Sequence, residues 1–256
     1  MSPKALWSLI VSRIVEHHPV GPSTAAAEVS AKAMSQGSSG LRSVVAKVKP
    51  RYRGIPDCIA VFIAIPAAYM LVHAARVGID TTAAAIYGIS MVLMWSVSAT
   101  YHTFMWPTQV RMILRRIDHS MVFMLIAGSY TPVCLSAVSP AEGGTILGLV
   151  WLVAAIGIAK CFLFPNAPRS LNTTLYLGLG WLVMPLYGNI KTELGIQGVV
   201  LLLVGGAMFS IGAVIYWWRW PNPSPRVFGY HEVFHVFVAA GLSFHYAMMW
   251  RLLTPG

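Results

Sequence analysis

Gly198-Val-Val-Leu-Leu-Leu-Val-Gly-Gly-Ala-Met-Phe-Ser-Ile-Gly-Ala-Val-Ile-Tyr-Trp-Trp218 runs for 21 residues without a charge. A helix rising about 1.5 Å per residue over that length spans roughly 30 Å, the thickness of a bilayer's hydrocarbon core. Outward from it, six further apolar runs of span length are bounded by charge or turn residues. They are Asp57 to Ala75, Ala83 to Phe104, His119 to Val138, Gly144 to Phe164, Leu171 to Asn189 and Glu232 to Leu253. The sequence therefore predicts an all-α integral membrane protein, a seven-transmembrane helix bundle over residues 57–253 preceded by a basic segment, 1–56. Composition agrees: 57% of the 256 residues are hydrophobic and 10% charged, where a soluble domain carries about a quarter charged residues. A soluble fold, a disordered chain and a disulfide scaffold are excluded together.

The placement of charge sets the expected orientation. Fifteen of the 18 Lys and Arg fall in segment 1–56 or in alternate loops: Arg111, Arg115 and Arg116, then Lys160 and Arg169, then Arg219 and Arg226. The other face has Arg76, Lys191 and Arg251. By the positive-inside rule the N-terminus is cytoplasmic and the C-terminus outside, in the plasma membrane. The net charge of +10 is thus topogenic; no stacking aromatics interleave the basic residues, and no nucleic-acid partner is expected. Membrane lipids are the expected partners, with residues 42–53 suited to anionic headgroups. The Ala-, Ser- and Gly-rich stretch Gly21 to Gly40 is expected to be flexible. Ala5 to Val15, with Trp7 and Arg13, suits an interfacial helix and lacks the cleavage site of a signal peptide. Cys58, Cys134 and Cys161 have no neighbouring cysteine and read as apolar fillers.

Ionisable residues at membrane depth are costly and mark function. Ser98 and His102 end the second span, Arg116, Asp118 and His119 open the third, and His231 and His235 open the seventh. The two i, i+4 pairs each share a helix face, and all three span ends fall on the basic side, so the candidates converge at one depth. His102, His231 and His235 can supply three nitrogens to Zn²⁺ with a fourth position left for water, as in catalytic zinc sites. Asp118 and Ser98 can then orient or deprotonate that water. Plainer readings stand beside these: Asp118 as the N-cap of the third span, Ser98 as a serine bonding back to its own helix, and the histidine pair as hydrogen-bonded residues at a helix start. His119 is expected at the interface, and His17, His18 and His73 carry no role.

Two other chemistries fit parts of the pattern. His231-Glu232-Val-Phe-His235 matches H-E-x-x-H, the zinc motif of metalloproteases whose glutamate is the general base, although no acidic turn late in the chain offers a third ligand. His231 and His245, fourteen residues apart, suit paired haems in a bundle, but no other span carries a matching pair. His245 is also about 20 Å further along its helix than His231, too distant for the same metal.

Ser98-Ala-Thr-Tyr-His102, Asp118-His119-Ser-Met-Val-Phe-Met-Leu-Ile-Ala-Gly-Ser-Tyr-Thr-Pro132 and His231-Glu-Val-Phe-His235, followed by His245-Tyr, resemble the hemolysin III proteins, the bacterial branch of the progestin and adipoQ receptor family. The resemblance runs from about Pro50 to Arg251. It implies a seven-helix bundle with a zinc site near the inner leaflet. Its ligands would be His102, His231 and His235, with Asp118 beside the metal and Ser98 contacting its water. It also implies a ceramidase-like amidase acting on a lipid-like substrate. The alternatives it leaves are a membrane-active cytolysin, or a receptor or homeostasis protein with structural zinc; an intramembrane metalloprotease is third. A secreted pore former must be soluble before insertion, which seven spans forbid. Relatives can carry Gln at the position of Glu232, which weighs against the protease. One departure is evident: the bacterial pattern has His closely after Arg-Gly, where this chain has Arg53-Gly54-Ile-Pro-Asp57.

Overall fold

The computed structural model describes residues 50–255. The expectations for Ala5 to Val15, for Gly21 to Gly40 and for the basic residues 42–49 lie outside them. Among the described residues the chain forms seven α-helices: α1 (Ile55–Ala74), α2 (Ile79–Thr103), α3 (Thr108–Ser136), α4 (Pro140–Leu163), α5 (Arg169–Trp181), α6 (Tyr187–Trp218) and α7 (Tyr230–Leu253). A 3₁₀ turn, Met184–Leu186, joins α5 to α6. Among the described residues six stretches are long and apolar enough to cross a membrane, one of them Arg169–Trp218 taken whole.

The packing is that of a bundle bathed in lipid. α1 leaves Phe62 79% and Ile63 63% exposed, and α4 leaves Leu152 58% and Ile156 60% exposed. Polar residues instead turn inward: Ser90, Ser98, His102, Ser120, Thr131, Thr173, Glu232 and His235 are all buried. Apolar faces of that extent are untenable in water and proper to hydrocarbon.

Where the sequence predicts one continuous span from Leu171 to Asn189, the helix breaks. Pro185 has no N–H to donate and its ring displaces the preceding turn. The loosened carbonyls are not left bare, because Tyr130 Oη on α3 donates to Leu179 O at 2.8 Å and Gly180 O at 3.3 Å. Backbone irregularity at membrane depth requires such partners. Within α6, Gly195 leaves helical geometry at φ 65, ψ −167, a conformation that glycine adopts without steric cost. The chain reverses there: Trp181 Nε1 donates to Ser210 Oγ at 3.0 Å, tying positions about equally far on either side of the turn.

The third helix also differs from expectation. It begins at Thr108 rather than near His119, so Asp118 lies well inside it and does not cap it. Arg111, Arg115 and Arg116 are on the helix rather than in a loop.

A candidate metal centre

The start of α1 is set by Gly54, whose φ of 90 suits glycine. A Cβ there would lie 2.8 Å from Thr103 N and 2.9 Å from His102 C, so glycine also allows α1 to begin directly against the end of α2. The preceding residues are pinned to the α6–α7 connection, with Arg51 N donating to Arg226 O at 2.9 Å and Tyr52 N to Val227 O at 3.1 Å. These contacts fix Arg53 and Asp57 against α7.

Three imidazoles meet in that corner. His231 Nε2 lies 3.2 Å from His102 Nε2 and 2.9 Å from His235 Nε2. One ligand nitrogen from each of the three lies within 4.8 Å of those of the other two. His235 Nδ1 is 2.8 Å from Asp57 Oδ1, and Ser98 Oγ donates to the same carboxylate oxygen at 2.9 Å. A carboxylate against Nδ1 selects the tautomer with the proton there, which leaves a lone pair on Nε2 of His235. His231 Nε2 faces two such nitrogens and has one hydrogen or one lone pair to give. The three together have more acceptor capacity than protons, and a cation uses that surplus. The donor set therefore fits a metal ion.

The sequence-predicted residues gather as follows. His102, His231, His235, Ser98 and Asp118 line one chamber of about 220 Å³ between α2, α3, α5, α6 and α7. Its walls are otherwise largely apolar, with Met94, Leu125, Val133 and Leu202 among them. Ser98 points its hydroxyl proton at Asp57 rather than back to its own helix. His119, expected at the interface, lines the chamber with its Nδ1 3.3 Å from Asp118 Oδ2. His245 lines it further along α7, its Nε2 3.3 Å from Leu202 O, and is outside the metal-ligating group. Glu232 does not face the histidine cluster: Arg53 Nε holds its Oε1 at 2.8 Å and Gly229 N donates to its Oε2 at 2.7 Å. Both oxygens serve the N-terminus of α7, which removes the free general base that the protease motif requires.

Asp57 is the functional residue that sequence reasoning missed. It stands at the edge of an apolar run, yet it is 1% exposed and fixes the orientation of His235 in the cluster. A carboxylate in the first turn of a span is costly enough to have marked it.

The fold and this corner define a multi-pass helical membrane protein with an internal histidine cluster. Residues 46–246 match the family model for Haemolysin-III related proteins. The chain is 34% identical over 190 residues to "Hemolysin-3 homolog" of Bacillus subtilis, covering 72% of this chain and 84% of that protein. It is 32% identical over 190 residues to "Hemolysin-3" of Bacillus cereus, covering 72% and 82%. More distantly, it is 25% identical over 174 residues to the human "Monocyte to macrophage differentiation factor", covering 66% and 69%. The chain belongs to the Haemolysin-III related family.

Proposed function

We propose that this protein is a zinc-dependent hydrolase of the plasma membrane, acting on an amide or ester bond of a lipid-like substrate. It crosses the bilayer seven times, with its N-terminus in the cytoplasm and its C-terminus outside. The chain reversal at Gly195 supports the count, and the crowding of Lys and Arg on the face that holds the histidines supports the orientation. The observation that carries the catalytic reading is the meeting of three imidazole nitrogens in the wall of a largely apolar chamber.

His102, His231 and His235 would hold the ion. Bound Zn²⁺ supplies Lewis acidity and brings the acidity of water toward neutral pH. The chain's own residues do the rest. Asp57 keeps the proton of His235 on Nδ1, and Ser98 steadies Asp57. Asp118, lining the same chamber, accepts a proton from water and returns it to the leaving group. The apolar walls hold an acyl chain and keep bulk water from the polar corner.

Plasma mass spectrometry on detergent-purified protein, beside a His231→Ala, His235→Ala double variant, tests the metal. About one zinc per chain in the wild type and almost none in the variant is expected. Turnover of lipid amides and esters by the wild type, abolished in the variant, tests the chemistry. Metal without turnover would make the zinc structural and the protein a receptor or homeostasis factor. Turnover that survives loss of the metal would sink the proposal.

A further inference from the structure

We infer that the basic face carries a second site, separate from the histidine corner, for the oxyanion headgroup of a membrane amphiphile. It is a pocket of about 170 Å³ between α3, α4 and α5, into which Arg115, Arg116, His119, Lys160, Asn166 and Asn172 project. Three permanent cations and two side-chain amides line it, and no carboxylate does. Among the described residues none of the three cations makes an ion pair. Lys160 Nζ donates to Asn172 Oδ1, whereas Arg116 Nε is enclosed by protein without a hydrogen-bond partner. Arg116 lines the pocket with no carboxylate beside it, and a bidentate oxyanion is the group that guanidinium geometry satisfies best.

The pocket continues outward and inward. It shares Lys160, Phe164, Pro165 and Asn166 with an open groove along the end of α4, beside which Leu163 is 71%, Phe164 63% and Leu171 43% exposed. It shares His119 and Asn172 with the central chamber. A cationic cup opening on exposed apolar side chains matches a charged head with an acyl chain, rather than a free ion. Basic pockets between spans at this depth take anionic headgroups. The site does not depend on what the histidines hold.

The test uses full-length protein in detergent and four probes: phosphatidylglycerol, oleate, phosphatidylcholine and inorganic phosphate. Phosphatidylglycerol or oleate should bind well above phosphatidylcholine, with the stronger of the two assigning the head as phosphate or carboxylate. Affinity should fall as ionic strength rises. An Arg116→Gln, Lys160→Gln variant should lose roughly tenfold or more, while Arg116→Lys, Lys160→Arg stays within a few fold, and both keep the wild-type metal content. If the glutamine variant fails to fold, the salt dependence of the wild type still decides. Equal affinity for phosphatidylcholine, salt-independent binding, or undiminished binding by a folded glutamine variant overturns the site. Inorganic phosphate competing as strongly as the lipid shows a free-anion site and overturns the amphiphile.

Discussion

The bundle has a polar cluster at each end, and they are built on opposite principles. At the end away from the histidines, Arg76 Nε bonds Asp80 Oδ2 at 2.5 Å, Arg76 Nη2 donates to Leu252 O at 2.6 Å and Arg76 N to Leu253 O at 2.9 Å. Ser136 Oγ gives its proton to Asp80 Oδ1 at 2.5 Å. Donors meet acceptors here, and the carbonyls of Leu252 and Leu253 at the end of α7 are taken up. This cluster clasps the α1–α2 connection to α2, α3 and α7, and needs nothing more. At the histidine end, nitrogens face nitrogens. Such an arrangement is stable only when a cation or shared protons fill the excess of lone pairs. A satisfied network holds a fold together; one with surplus acceptors holds something else.

That contrast can be broken at its strongest joint. Asp57→Asn should weaken zinc affinity by about 10- to 100-fold, the usual cost of losing a carboxylate behind a ligand histidine, with little change in melting temperature. Chelator competition on the purified variant measures it. An unchanged affinity would make Asp57 part of a second structural clasp. Next in size, Arg76→Met leaves the buried Asp80 with Ser136 alone. Removing one member of a buried pair costs about 3–5 kcal/mol, but the Arg76 side chain is 49% exposed, so roughly 2 kcal/mol is expected after screening. Metal content should stay at the wild-type level. If the Arg76 variant lost zinc as well, the two ends would be coupled rather than independent.

An effect of the same size is expected from Glu232→Gln, which keeps an acceptor for Gly229 N–H but turns amide hydrogens toward Arg53 and leaves that 20% exposed cation without its carboxylate. It should lower stability by about 2 kcal/mol and leave both metal and turnover intact. Turnover lost with metal retained would restore the glutamate as a general base and revive the protease reading.

These residues also mark what was legible in the sequence. Helices appear as apolar runs, and the histidine trio shows in the i, i+4 spacing and in the parity of the crossings. Both signals are periodic, and periodicity survives without coordinates. Asp57 was not legible in that way, because its partner is 178 positions away and nothing in either segment announces the pairing. The break before α6 was legible in principle from Pro185, but hydropathy averages over a single proline. The early start of α3 was obscured by its arginines, which mimic a loop and in fact ride on a helix that extends past the apolar stretch. Orientation signals count charge, and charge does not report backbone conformation.

The finest test of the contrast concerns Ser98. The family resemblance assigns its hydroxyl to the water at the metal, while the structure gives its proton to Asp57 at 2.9 Å. The two roles predict different observables. Acting through Asp57, Ser98→Ala removes one hydrogen bond to a carboxylate, worth about 1 kcal/mol, and should weaken zinc affinity about fivefold. In a double-mutant cycle it should then add little to Asp57→Asn, because both changes release the same imidazole. Acting on water, it leaves zinc affinity at the wild-type value, lowers turnover, and adds fully to Asp57→Asn. Chelator titration of Ser98→Ala alone, set beside Asp57→Asn and the double variant to close the cycle, separates these. Non-additivity would make the hydroxyl, the carboxylate and the imidazole one relay that ends at the metal; additivity would put Ser98 on the substrate side of it.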